Sequence, residues 1–271
     1  MRRQIASFLR GSGLMPLVFR TRMVLAPVMP GTLANNLRYW LGPARETLPL
    51  PSNRARFLVA GSADIQGFLE LGRRAADAIE AAVAKAGRPI GSMRAILDFG
   101  CGSGRVLRHW RKIADRVDVR GTEMNERLVQ ECRRCVPFAK IGQNRPAPPL
   151  DYDDGTFDLV YALSVFTHLH EDLQRGWRDE LRRVLAPGGL LLVTTHGRFY
   201  APRLSEAERA RFDAGACVVQ GAEFLGENLC IAYHPEASVR ALFADGFEVV
   251  DFVPEGALGN PSQDLWLLRR T

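Results

Sequence analysis

The most constraining stretch of the chain is Arg94 to Trp110, Arg-Ala-Ile-Leu-Asp-Phe-Gly-Cys-Gly-Ser-Gly-Arg-Val-Leu-Arg-His-Trp. Ala95–Phe99 is a short apolar run closed by glycine, the pattern of a buried parallel strand. Val106, Leu107, Trp110 and Ile113 then recur at helical spacing. The segment therefore reads as strand, glycine-rich turn and helix. Gly100, Gly102 and Gly104 remove Cβ atoms from the turn, so backbone N–H groups and the following helix N-terminus can approach a nucleotide-like ligand closely. A purely steric reading stays open, because a tight strand-to-helix turn needs glycine with or without a ligand. A dinucleotide fingerprint wants glycine where this chain has Arg105 and usually lacks an acid just before the first glycine, whereas Asp98 stands here.

At 271 residues the chain suffices for one large α/β domain with additions. Its net charge of +6 is unevenly placed: residues 1–45 hold seven arginines (2, 3, 10, 20, 22, 38 and 45) and no acid, so the remainder is close to neutral. Residues 1–60 read as a basic arm or lid with a linker, the Pro-bearing Leu41–Asn53, and residues 61–271 as the main domain. Met1–Gly31 is too interrupted by Arg and Pro for a leader or a membrane span. Two readings of the arm remain, a substrate lid, which is favoured, and a basic amphipathic contact with membrane or nucleic acid, with membrane contact by residues 1–30 the weaker expectation. Five cysteines without a periodic framework suggest a reducing, cytoplasmic compartment, and Cys132 with Cys135 reads as a surface pair and not a metal site. The scarcity of lysine reads as codon bias of a GC-rich bacterium.

Ser62–Gly87 is an amphipathic helix capped by Ser62 or Asp64, with Gly87 at its left-handed end. Strands are expected at Val117–Thr122, Phe138–Gly142, Phe157–Ala162 and Leu190–Thr195. Helices are expected at Asn125–Arg134 and Glu171–Leu185, the second capped by His170 and followed by a Pro187-Gly-Gly turn. Tyr200–Ala232 reads as an irregular insertion after Leu204–Arg211. A helix begins at Pro235 and runs to Ala244, and Phe247–Pro254 and Leu265–Arg269 supply a last antiparallel hairpin.

Asp98-Phe-Gly-Cys-Gly-Ser-Gly104 resembles motif I of the class I S-adenosylmethionine-dependent methyltransferases. The run Asp151-Tyr-Asp-Asp-Gly-Thr-Phe-Asp-Leu-Val-Tyr-Ala, with Trp177-Arg-Asp-Glu-Leu-Arg-Arg-Val-Leu-Ala-Pro-Gly-Gly-Leu-Leu-Leu-Val-Thr, is similar to the type 11, 12 and 25 methyltransferase domains, so the resemblance covers about residues 60–200. It implies a doubly wound, seven-stranded, mostly parallel sheet with S-adenosyl-L-methionine as cofactor. Asp98, Gly100, Gly102, Gly104 and Ala162 would then border that cofactor. Glu123, at the tip of the second strand, would accept both ribose hydroxyls, although a solvated acid at a helix start is the plainer alternative. Met124 would pack on the adenine and Asn144, where the family more usually has aspartate, would read its amino group. No metal is expected.

After the fourth strand, Ala162-Leu-Ser-Val165 lacks both the Asn/Asp-Pro-Pro-Tyr box of amino-methylating enzymes and the Pro-Cys nucleophile of cytosine C5 enzymes. Displacement at a hydroxyl, carboxylate or amine is left, and a hydroxyl of a small-molecule or glycan-linked acceptor in secondary or cell-surface metabolism is the expectation, with no nucleic acid as substrate. The alternatives are a nucleic-acid- or membrane-associated methyltransferase using the basic arm and a cofactor-binding protein without catalysis. His168 is the candidate base, set against a structural role at a helix entry. His196, Tyr200, Cys230 and His234 form a second tier.

Overall fold

The computed structural model describes residues 15–43, 46–223, 229–260 and 262–271. Arg2, Arg3, Arg10 and Arg45 of the basic arm lie outside the described residues. Helices α1 (Met15–Leu25) and α2 (Pro30–Leu41) form a hairpin through a short 3-10 turn at Ala26–Val28, so the arm carries regular structure that its interrupted sequence did not suggest. Residues 46–52 run without helix or strand into α3 (Asn53–Ala60), whose start is capped by Ser52. Helix α4 (Ile65–Lys85) follows. Its N-cap Asp64 accepts from Gly67 N at 2.5 Å, and Gly87 beyond its end has φ +71°.

Strands β1 (Ala95–Phe99), β2 (Asp118–Glu123), β3 (Lys140–Gln143), β4 (Phe157–Ala162) and β5 (Leu185–Thr195) are parallel. With β8 (Phe247–Val253) and β9 (Asp264–Arg270) they form a seven-stranded sheet in the order β3-β2-β1-β4-β5-β9-β8, in which β9 is antiparallel to both its neighbours. Ile96, Leu159 and Leu190 belong to one core; Leu97, Val160 and Leu191, their immediate chain neighbours, belong to the other. Burial on both faces is why these strands read as unbroken apolar runs. Helices α4 and α5 (Glu126–Cys135) fill the first core with Ile79, Val83 and Val129. Helices α6 (Glu171–Val184) and α8 (Glu236–Phe243) fill the second with Trp177, Leu181 and Phe243.

Several local expectations are corrected. The segment after the glycine loop is a 3-10 helix, Leu107–Ile113, and not an α-helix. Arg105 Nη1 donates to Gly259 O at 2.8 Å and Arg108 Nη2 to Leu48 O at 3.3 Å, tying the turn to chain on either side of it. Strand β5 begins at Leu185, so Pro187-Gly188-Gly189 lies within the strand, beside the register shift against β4. The insertion is more ordered than its composition implied: α7 (Glu206–Asp213) carries a Ser205–Glu208 capping box, and β6 (Val218–Gln220) pairs antiparallel with β7 (Ile231–Tyr233). His170 occupies the N-cap of α6, but its side chain makes no cap bond. Cys132 and Cys135 are not a surface pair; both are buried in the first core, with Cys132 seated against Gly104.

One close approach fixes how α4 supports the glycine loop. A Cβ on Gly72 would lie 2.2 Å from the carbonyl oxygen of Arg105. Glycine-to-alanine changes inside helices normally stabilise by about 1 kcal/mol. Here the obstruction is backbone, so Gly72→Ala should destabilise by ~1–3 kcal/mol, read as a lower midpoint in urea unfolding.

Candidate functional site

The parallel strands end on one edge of the sheet, and the strand order reverses between β1 and β4, the place where open α/β sheets bind ligands. The glycine loop leaves β1 there with Gly100, Gly102 and Gly104 at φ +79°, +55° and +82°, a region that side chains disfavour. Thr122 O at the end of β2 accepts from Gly100 N at 2.8 Å and from Cys101 N at 3.0 Å. Glu123 follows; its Oε2 accepts from Gly102 N at 3.0 Å and its Oε1 from Asn125 N at 2.9 Å. The carboxylate is thus fixed against the loop, with further lone pairs on both oxygens.

Two acids are buried here. Desolvation raises Asp98 to about 8, against the Tyr161 hydroxyl that donates to it and the charge of Arg105. Glu123 is also raised by desolvation, opposed by the backbone amides that it accepts from. Buried carboxyls that gain from a nearby positive charge, beside a loop open to close approach, suit a cationic ligand. Ser103, between two of the loop glycines, keeps a fully buried hydroxyl with no hydrogen-bond partner among the described residues.

The loop is covered. Val59 of α3 has a methyl carbon 2.8 Å from where a Cβ of Gly102 would stand, and Val165, after β4, has one 2.5 Å from that of Gly100. A cavity of about 130 Å³ remains, lined on one side by Val59, Ala60 and Arg105 and on the other by Tyr200, Gly259 and Gln263. Pockets for small molecules typically run from ~300 to 1,000 Å³, and this cavity is smaller than that range.

Beyond Gln263 the insertion gathers the histidines. His168 Nδ1 lies 2.7 Å from Cys230 O, which places the proton on Nδ1 and leaves Nε2 as a lone pair with no hydrogen bond among the described residues. His196 is 6.4 Å from His168 between ring centroids and 4.2 Å from Tyr200. Both its nitrogens are engaged, Nδ1 with Ala232 O at 3.2 Å and Nε2 with Gln263 Nε2 at 3.2 Å. Gln263 also donates to Ser164 Oγ at 2.9 Å and accepts from Thr194 Oγ1 at 2.7 Å. His234 Nε2 faces Gln174 Oε1 at 3.1 Å, while its buried Nδ1 is unpartnered among the described residues. Burial lowers all three imidazoles: His168 falls below its usual value, His196 drops to about 3 with help from His168 and His234, and His234 drops to about 4. All three are neutral near pH 7.

Asp98, the three loop glycines and Glu123 therefore meet at one edge, and His168, His196 and Tyr200 meet beside it. Asn144 adjoins the acid, its N–H donating to Glu123 O at 3.2 Å and its Oδ1 accepting from Thr122 Oγ1 at 2.9 Å. Ala162, at the end of β4, is buried in the second core with Trp177, and Cys230 contributes its carbonyl instead of its thiol. Met124 follows Glu123 at the end of β2, its carbonyl accepting from Gln143 Nε2 at 3.3 Å. Sequence reasoning passed over Tyr161, which reads as one more apolar residue of β4, and Gln263, whose partner Ser164 is 99 residues away. Ser103 lay in plain view inside the motif.

A family model described as a methyltransferase domain matches residues 97–193. The chain is 33% identical over 142 residues to a malonyl-[acyl-carrier protein] O-methyltransferase of Enterobacter lignolyticus, covering 52% of each chain. It is 27% identical over 173 residues to the ubiquinone/menaquinone biosynthesis C-methyltransferase UbiE of Neisseria meningitidis, covering 58% of this chain and 68% of the other. It spans about half the length of the curated relatives it matches. Among solved structures, an S-adenosylmethionine-dependent methyltransferase from Mesorhizobium loti superposes with a TM-score of 0.53 at 19% identity, over 70% of this chain and 97% of that one. The glycopeptide N-methyltransferase MtfA, solved with S-adenosyl-L-methionine, gives 0.51 at 16% identity, over 71% and 92%. These structures share the fold.

The raised Asp98 has a measurable consequence. A carboxyl whose folded pKa exceeds its unfolded value of 3.8 favours the folded state less and less as pH rises from there to about 8. Asp98→Asn removes the titration. In the absence of ligand, the unfolding free energy of this variant relative to wild type should grow with pH across that window, by at most ~1.4 kcal/mol per unit, in urea melts at several pH values. A pH-independent difference would show that Asp98 is ionised throughout.

Proposed function

This chain belongs to the class I S-adenosylmethionine-dependent methyltransferases, and we propose that it methylates a hydroxyl of a small-molecule or glycan-linked acceptor. The observation that carries this reading is the free Nε2 of His168, whose tautomer is set by the Cys230 carbonyl, in a cluster with His196 and Tyr200. The buried acids, the glycine loop and the unpartnered Ser103 hydroxyl fit the cofactor, which supplies a methyl already activated on a sulfonium. Asp98 offers negative charge, Glu123 offers its remaining lone pairs to hydroxyls, and the glycines permit close backbone approach.

His168 takes the acceptor proton at Nε2 and holds the resulting charge on an imidazole whose Nδ1 proton is already bonded. His196, tied at both nitrogens, orients the wall of the acceptor site together with Tyr200 and Gln263. Within residues 1–60, α3 acts as the lid, with Val59 leaving Gly102 as the cofactor enters and returning to exclude water. The O-methyltransferase names among the relatives support an oxygen acceptor.

Incubation with metabolite pools and the methyl donor, followed by mass spectrometry for a gain of one methylene, identifies the acceptor; a product methylated at carbon or nitrogen overturns the hydroxyl reading. His168→Gln should lower turnover about 10²–10⁴-fold with nearly unchanged cofactor affinity. Because burial lowers the His168 pKa, the wild-type acidic limb should fall below pH 6.5, and the variant should lose it. Glu123→Gln should weaken cofactor binding by about 1.5–3 kcal/mol, tenfold or more, measured by calorimetry, with turnover restored at saturating cofactor.

A further inference from the structure

We propose that α1 and α2 form a docking face for an anionic membrane surface. The hairpin has two apolar stripes. The inner one, Phe19, Met23 and Ala26, packs on Phe57 and Ala63, with the Phe19 and Phe57 rings 5.7 Å apart. Asn36 ties the second helix down: its Oδ1 accepts from Ile65 N at 2.8 Å and its Nδ2 donates to Ala63 O at 3.3 Å. The hairpin is therefore seated, and its other side faces solvent.

That outer side is also apolar. Leu17, Val24 and Val28 recur at helical spacing along α1 and the turn after it, and Leu33, Leu37 and Leu41 do so along α2, all exposed, Leu41 by 77%. An open groove lined by Ala34, Leu37, Arg38 and Leu41 runs along α2. Exposed large apolar residues are concentrated here; among the described residues only Phe199 and Leu258 lie elsewhere. A solvated lid would be polar on this side, and contiguous exposed apolar surface marks an interaction site.

Charge selects the occupant. Arg20, Arg22 and Arg38 are exposed on the same two helices, and no acid occurs before Glu46. An apolar face bordered by unopposed arginines matches the headgroup boundary of an anionic bilayer, where apolar residues insert shallowly and arginines pair with phosphates. No helix among the described residues is long and apolar enough to cross a membrane, so the contact is one of lying on the surface.

The test is flotation of the full chain with phosphatidylcholine vesicles and with vesicles of equal parts phosphatidylcholine and phosphatidylglycerol. Binding is expected to the mixed vesicles, weakening with salt, and little to the neutral ones. Arg20→Ser with Arg22→Ser should lose about fivefold per arginine. Leu37→Glu with Leu41→Glu should abolish flotation while cofactor affinity without lipid is kept, which excludes misfolding. Binding to neither vesicle, or equally to both, overturns the proposal. So does light scattering that shows a dimer dissolved by the Leu37→Glu, Leu41→Glu variant without vesicle binding, and so does retention on single-stranded RNA in place of vesicles.

Discussion

The bond from the Gly102 amide to the Glu123 carboxylate, 3.0 Å long, joins the two features on which the site depends. It closes the glycine loop onto the tip of β2. It can form because the backbone of the loop turns left-handed at three glycines and because Thr122 O already holds the first two amides of the turn. Loop, acid and strand end become one rigid edge. Desolvation raises both Asp98 and Glu123 on that edge, and a buried carboxyl in that condition ionises more readily when a cation binds beside it.

Much of this edge was legible in the chain. The bounds of β1 and β4 coincide with the apolar runs that announced them, since strands buried on both faces leave a continuous pattern. Glu123 and the glycines sit together as their spacing required. What was hidden depends on long-range contacts. Val106, Leu107, Trp110 and Ile113 have helical spacing and are buried, yet the backbone of Leu107–Ile113 winds as a 3-10 helix, flanked by the bonds of Arg105 to Gly259 and Arg108 to Leu48. The Arg-flanked Cys132 and Cys135 look like a surface pair, but α5 turns that stripe onto the sheet while its arginines reach outward. His170 has the place of a cap without the bond. No local pattern could have joined Gln263 to Ser164 and His196.

Tyr200, which packs on His196, and Arg105, which follows the glycine loop, line the same small cavity. Gln263 belongs to both neighbourhoods, lining the cavity that Arg105 also lines and bonding His196 and Ser164. His168 and His234 each keep an unengaged nitrogen beside a proton held on the other, while His196 is engaged at both, so hydrogen bonding sets His196 aside as the base that we propose. Over this arrangement lies α3, whose Phe57 anchors the N-terminal hairpin and whose Val59 closes the loop. One turn of one short helix thus connects the inner face of the arm to the glycine loop.

The central claim is that the cofactor lies over the glycine loop against Glu123, under a displaced α3. A crystal structure of the protein with S-adenosylhomocysteine tests it most directly. The account predicts density along Gly100–Gly104, the Glu123 carboxylate within hydrogen-bond distance of the ribose, and Val59 moved off Gly102. Density at any other edge of the sheet, or a bound molecule with Val59 still seated on Gly102, would contradict it.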